Sequence, residues 1–179
     1  MSSLRNTYNR LCPNSKRAFS RTLTDDGLVT GNNDMDVDGS VTPVRRYIQP
    51  LPEETFNIEE VSITISDNGS SSNADYGSVS GPLTNGTVFF VERDGVQQIV
   101  SEVFDENDDF VLASASFEIF TFTGVRVIVY RDLFNNYSNG IFLNGATNDK
   151  FGLIIRDDLS SLVEHISLVK GYSIPRVIS

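Results

Sequence analysis

The chain has no tryptophan, and it contains one cysteine and one histidine among 179 residues. A single cysteine excludes a disulfide bond within the chain, and a single histidine argues against a conventional zinc site, which takes several cysteine or histidine ligands. No apolar run approaches the roughly 20 residues that span a bilayer, and the first residues lack the apolar core of a signal peptide. We therefore expect a protein that is made in a cytoplasm and is not inserted in a membrane.

The length is enough for one domain with a real core and too short for two comfortable ones. The aromatic residues are twelve Phe and six Tyr, which are side chains that pack well on β-sheets. The composition therefore favours a single β-domain.

Charge is unevenly distributed along the chain, whose net charge is −10. Residues 1–24 carry five basic residues and no acidic one, whereas residues 53–179 carry seven basic and nineteen acidic residues. Affinity for nucleic acid depends on clustered lysine and arginine, so an acidic body of this kind disfavours nucleic acid as a partner.

The first 52 residues show no sustained hydrophobic period, and prolines at 43, 50 and 52 punctuate their end. Such a segment buries too little apolar surface to offset its ordering entropy alone. We predict an extended basic N-terminal arm with a proline-rich connector at 1–52, followed by a domain at 53–179. Complementary charge would bring the arm to an acidic neighbouring subunit, through the basic residues Arg5, Arg10, Lys16, Arg17 and Arg21.

Apolar and polar residues alternate from Phe56 to Ser66, with one slip at Glu59–Glu60 that predicts a β-bulge. Asp94-Gly95 lies between apolar runs, which is a good hairpin signal. Further short apolar runs and turns predict eight to ten strands and an all-β, two-sheet sandwich of jelly-roll or immunoglobulin-like type. Asp157–Leu162 fits either a short helix or a turn between strands.

The segment Asp34-Met35-Asp36-Val37-Asp38-Gly39 matches the first half of a calcium loop, in which alternate carboxylates bind the ion and glycine permits a bend. The position of the final bidentate glutamate is occupied by Arg45, which excludes an EF-hand. A Ca²⁺ site at Asp34, Asp36 and Asp38 and a solvated acidic turn both remain open, since all the donors are oxygens.

No motif predicts a catalytic or cofactor-binding residue. His165 has no identifiable nucleophile or carboxylate partner in the sequence, and the acids at Asp105–Asp109 and Asp157–Asp158 suit turn capping better than glycoside hydrolysis. We therefore predict a protein that is not an enzyme and has no small-molecule substrate.

Two segments, Leu83-Thr84-Asn85-Gly86-Thr87 and Asp149 to Tyr172, resemble virion proteins of tailed bacteriophages. The resemblance implies a structural role in the virion, as a capsid cement (decoration) protein or a head–tail neck subunit. Its implied partners are major capsid or neck and portal proteins and further copies of itself. It implies no site residue. Extended ends at Phe56–Ser66 or Ile174–Ile178 would suit pairing with a neighbour's sheet.

Two other functions stay open at this point. One is a β-sandwich that binds carbohydrate or a receptor, with Ca²⁺ at Asp34–Asp38, although Tyr76 and Tyr137 stand alone in loops and suggest no aromatic platform. The other is a hydrolase with acids or a partner around His165.

Overall fold

A computed structural model describes residues 16–67, 79, 83–103, 116–122, 125–132 and 140–175 of the chain. Ten strands and one short 3₁₀-helix, Gly145–Thr147, lie in this part. The strands are β1 (Arg17–Thr22), β2 (Val44–Ile48), β3 (Glu54–Asp67), β4 (Thr87–Arg93), β5 (Val96–Val103), β6 (Ser116–Phe122), β7 (Val125–Asp132), β8 (Ile141–Asn144), β9 (Lys150–Ile155) and β10 (Glu164–Pro175).

The strands form two antiparallel sheets. The larger sheet has the order β1-β10-β3-β7-β6, with β8 pairing with β3, and the smaller sheet has the order β2-β9-β4-β5. This confirms the predicted all-β, two-sheet sandwich. The choice between a jelly-roll and an immunoglobulin-like topology stays a prediction.

The core lies between the two sheets, because alternate residues of each strand face inward. Its largest fully buried aromatic side chains include Phe56 of β3, Phe89 of β4 and Phe151 of β9. The rings of Phe89 and Phe151 stack at a centroid distance of 5.8 Å within the smaller sheet.

The predicted bulge in the long strand β3 is confirmed. Ile58 is opposite Gly171 and Glu60 is opposite Lys170, so Glu59 is an extra residue on β3. The bulge restores the alternation after the slip, and Val61 and Ile63 are therefore buried like Phe56 and Ile58. Gly171 is needed opposite the bulge, since a Cβ there would collide with the carbonyl oxygen of Asn57.

The predicted boundary at residue 52 is wrong for the described residues 16–52. β1 pairs with β10 over its whole length, and β2 pairs with β9. Leu23 and Met35 have no exposed surface and belong to the core. These residues are part of the sandwich because distant strands supply the backbone partners and the apolar contacts that the segment lacks alone. Residues 1–15 lie outside the described part of the chain.

The segment Asp157–Leu162 adopts a turn, with the amide of Leu162 donating to the carbonyl of Leu159, and not a helix. The described residues contain no helix that is long and apolar enough to cross a membrane.

Candidate interaction site

The β4–β5 hairpin presents the most exposed strand among those whose side chains are described. Asp94 and Gly95 have φ angles of 50° and 75°, as a two-residue type I′ turn requires, which confirms the hairpin predicted from Asp94-Gly95. Residues 93–99 are all exposed. Val96 is 64% exposed and Ile99 is 51% exposed. The hairpin therefore presents apolar side chains to solvent at an edge of the smaller sheet.

β5 has less protection than the edges formed by β1 and β2. Natural edge strands are shielded by charged residues, by inward-pointing charges, by covering segments or by bulges. Between Gly95 and Ser101 β5 contains no charged residue and no proline. Among the described residues its protection is a bulge, where the register shifts between Phe89 and Phe90 of the neighbouring strand.

The β1 and β2 edges are protected. Arg17 and Arg21 of β1 alternate with the exposed Ala18 and Ser20 and therefore point to the inner face of the sheet. On β2, the amide of Thr24 donates to the carbonyl of Tyr47 at 3.0 Å and the reverse bond is 2.8 Å, so a crossing segment covers this edge. Strand pairing with another chain is therefore easier at β5 than at β1 or β2.

A polar network on the outer face of the smaller sheet holds the hairpin in place. Arg45 Nη2 of β2 donates to Glu92 Oε2 at 3.0 Å and to Gln97 Oε1 at 2.8 Å, with its guanidinium 4.4 Å above the Phe90 ring. Lys150 Nζ donates to Glu92 Oε1 at 2.6 Å. The hydrogen bond from Lys150 and then that from Arg45 lower the pKa of Glu92. The network fixes β5 against β4 and β9.

The basic residues predicted to bind a partner are placed differently by the structure. Arg21 lies 4.9 Å from the centroid of the Phe56 ring, within its own chain, and Arg17 is half-buried on the same inner face of β1. Lys16 is exposed beside Tyr172. Arg17 and Arg21 therefore face the interior of their own sandwich, and their predicted role in binding a partner is wrong. Arg5 and Arg10 lie outside the described residues.

The acidic segment Asp34–Asp38 does not form the predicted calcium site. Met35 is buried, Asp34 Oδ1 accepts the amide of Asp36 at 3.1 Å, and Asp38 Oδ1 accepts the amide of Ser40 at 2.9 Å. No group of three or more acidic, histidine or cysteine side chains in the described residues is placed to hold a metal ion. Gly39 serves close packing and not a sharp bend, since a Cβ there would collide with the carbonyl oxygen of Ile155.

The carboxylates of this segment have altered acidities with local causes. The side-chain hydrogen bond with Asp36 lowers the pKa of Asp34. Burial, followed by that same hydrogen bond, raises the pKa of Asp36. The hydrogen bonds from Ser40 lower the pKa of Asp38. These groups therefore hydrogen-bond to one another and to nearby groups of the turn, as in the alternative interpretation of an acidic turn.

His165 has no exposed surface, and its Nδ1 lies 3.1 Å from the carbonyl oxygen of Met35. Burial lowers the pKa of His165 to about 4, so the ring is neutral at pH 7, and Nδ1–H donates to the carbonyl. The contact ties the acidic segment to β10. We interpret His165 as a structural residue.

The carboxylate of Asp157 also has a structural role. It accepts the amides of Thr84 at 2.9 Å and of Asn85 at 3.0 Å, and it is buried. These bonds fix the turn that precedes β4, beside a depression of about 340 Å³. The interpretation of this acid as a turn cap is confirmed, whereas Asp105–Asp109 lies outside the described residues.

Sequence reasoning missed a row of side chains on the outer face of the larger sheet. Asn57 of β3 is opposite Tyr172 of β10 on one side and opposite Phe142 of β8 on the other. The exposed position of Phe142 between the buried Ile141 and Leu143 was visible as alternation, but the register that joins three distant segments was not.

The chain matches no family model, no curated protein and no solved structure.

Proposed function

We propose that this protein is a non-enzymatic structural subunit that associates with a second copy of itself by pairing their β5 edges. The observation that carries the proposal is an exposed edge strand whose residues 96–101 are uncharged, in a chain of net charge −10. Most of the surface of so acidic a protein repels a second copy. The stretch from Gly95 to Ser101 carries no charge and does not repel a second copy in this way. Burying its apolar side chains against that copy lowers the free energy.

The geometry of the hairpin supports backbone pairing at this edge. Arg93 and Val96 flank a two-residue turn, which makes them a hydrogen-bonded pair. Hydrogen-bonded and non-hydrogen-bonded pairs alternate along antiparallel strands. Gln97 and Ile99 therefore belong to non-hydrogen-bonded pairs and direct their N–H and C=O groups away from β4. A second strand hydrogen-bonds to these groups, and a two-fold axis brings β5 of one copy antiparallel to β5 of the other.

The larger assembly is suggested by the resemblance of residues 83–87 and 149–172 to tailed-phage virion proteins. We propose that the subunit belongs to a virion, as a capsid cement (decoration) protein or a neck subunit, and contacts major capsid or neck and portal proteins. Arg5 and Arg10 precede β1 and provide positive charge for contacts with acidic neighbours.

Self-association is tested by replacing Ile99 with lysine, which introduces the charge that edge strands commonly use against pairing. Val41→Lys is the matched control, because Val41 is an apolar residue that is 88% exposed elsewhere on the surface. Sedimentation equilibrium should show a dimer for the wild type and for Val41→Lys, and a monomer for Ile99→Lys. A monomeric wild type, or a dimer that Ile99→Lys leaves intact, would contradict β5 pairing.

Attachment to a particle is tested by removing residues 1–15 and no more. A longer deletion would remove β1, Leu23 and Met35 and would unfold the sandwich. The truncated chain should keep its far-UV circular dichroism spectrum and its dimer, and it should lose co-sedimentation with capsids or necks that lack the native subunit. Failure of the full-length chain to co-sediment with either particle would refute the virion role while leaving the dimer untouched.

A further inference from the structure

The outer face of the larger sheet carries a row of three side chains, Tyr172, Asn57 and Phe142, which we call the outer-face row. Each is flanked along its strand by buried residues, so all three side chains project from the sheet on the side away from the core. The register places them on adjacent strands. Two strand spacings separate Tyr172 from Phe142, which is about 10 Å.

The two rings are accessible, whereas the amide between them is almost completely buried. Phe142 is 43% exposed, and Tyr172 is half-buried. Asn57 is 6% exposed, and its buried Oδ1 has no hydrogen-bond partner among the described residues. Because Oδ1 lies against Gly140, where a Cβ would collide with it, the Nδ2 donors are directed away from that residue.

A cation lies near each end of the row. Lys16 Nζ lies 5.7 Å from the centroid of the Tyr172 ring. Arg93 belongs to β4 of the smaller sheet, and its Nη2 donates to the backbone carbonyl oxygen of Phe142 at 3.3 Å, at the edge of β8. In the described part of the chain neither cation is ion-paired, whereas Lys170 on the same face pairs with Glu60 at 2.8 Å. Lys16 and Arg93 therefore bring positive charge to the two ends of the row on an acidic protein.

We infer that the outer-face row binds a carboxylated oligosaccharide. The apolar faces of sugar rings stack on Phe142 and Tyr172, and the Asn57 amide donates to a hydroxyl or ring oxygen. Lys16 and Arg93 pair with carboxylates of sugars at the two ends. The distance between the rings exceeds one pyranose ring, so the ligand is an oligosaccharide.

A single-stranded nucleic acid also stacks on aromatic rings, but it carries a phosphate at every nucleotide. Two cations on a protein of net charge −10 are a poor match for that density of negative charge. A sugar chain is therefore the better occupant. Arg93 is opposite Val96 of β5, so the variants at Phe142 and Lys16, which lie away from that hairpin, separate this inference from β5 pairing.

Binding is tested by isothermal titration calorimetry of the full chain with hexamers of galacturonate, glucuronate and mannuronate. The methyl ester of each hexamer is the neutral control, and a twelve-nucleotide oligo-dT probes nucleic acid. At least one acidic hexamer should bind more tightly than its ester, with an affinity that falls as salt is added.

The variants Phe142→Ala and Lys16→Gln should each weaken binding, Phe142→Ala by about tenfold, and Phe142→Tyr should retain it. Val163→Ala, at an exposed valine elsewhere, and Ile99→Lys on β5 should bind like the wild type. The inference is overturned if no acidic hexamer binds up to millimolar concentration, if oligo-dT binds more tightly than every hexamer, or if Phe142→Ala and Lys16→Gln leave the affinity unchanged.

Discussion

Acid should destabilise this protein through its single histidine. His165 is completely buried and its pKa is about 4, against an ordinary value of 6.5. The unfolded chain therefore binds a proton at higher pH than the folded one does. The contribution of neutral His165 to the free energy of unfolding is fully present above pH 6.5. It is lost progressively as the pH falls from 6.5 toward 4.

The size of the effect follows from the two pKa values. Each unit between them corresponds to 1.36 kcal/mol, so the complete loss below pH 4 is about 3.4 kcal/mol, and the loss between pH 7.5 and 4.5 is about 2.5 kcal/mol. This is a large share of the 5–15 kcal/mol that stabilises a typical domain. The lowered pKa values of Asp34, Asp38 and Glu92 act mainly below this window, because their ordinary values are 3.8 and 4.5.

The assay is urea unfolding of the wild type and of His165→Gln at several pH values from 7.5 to 4.5. Glutamine also donates a hydrogen bond to the Met35 carbonyl but does not titrate. The wild type should lose about 2.5 kcal/mol more than the variant over this range. The ring proton signals of His165, observable by NMR because the chain has one histidine, should not move near pH 6.5. Equal pH dependence in the two proteins, or a histidine that titrates at pH 6.5, would refute the reasoning.

Two further predictions concern packing and turn capping. Gly171→Ala should destabilise the fold by about 1–3 kcal/mol in urea unfolding, because the new Cβ would collide with the backbone of Asn57. Ser20→Ala on the exposed face of β1 should change the stability by less than about 0.5 kcal/mol, and similar values for both variants would contradict the packing argument. Asp157→Ala should cost about 1–3 kcal/mol, since the amides of Thr84 and Asn85 lose their acceptor. Asp158→Ala, at an exposed site, should cost clearly less, and the reverse order would show that Asp157 does not hold the turn.

The parts of the fold that the sequence predicted are those with local signals. Alternation from Phe56 to Ser66 requires knowledge only of neighbouring residues, and so does the two-residue turn at Asp94-Gly95. The break in alternation at Glu59–Glu60 predicted the bulge for the same reason. β1 and β2 were missed because arginines interrupt the alternation of apolar and polar residues that predicts a strand. Arg17 and Arg21 occupy the inner face of β1, and Arg45-Arg46 lies within β2. Their partners, β10 and β9, lie more than 100 residues away along the chain.

The local sequence of this protein thus determined its β class, the bulge and the main hairpin, because strand periodicity and turn chemistry are properties of adjacent residues. Tertiary pairing decided which strands are edges, and it placed Phe56–Ser66 in the interior of the larger sheet, paired on both sides, although the sequence suggested a free strand there. It also decided that Asp34–Asp38 caps its own turn and that Asn57, Phe142 and Tyr172 form one surface. Those outcomes depend on register between distant segments, which is set by the fit of the whole core and not by any short stretch of chain.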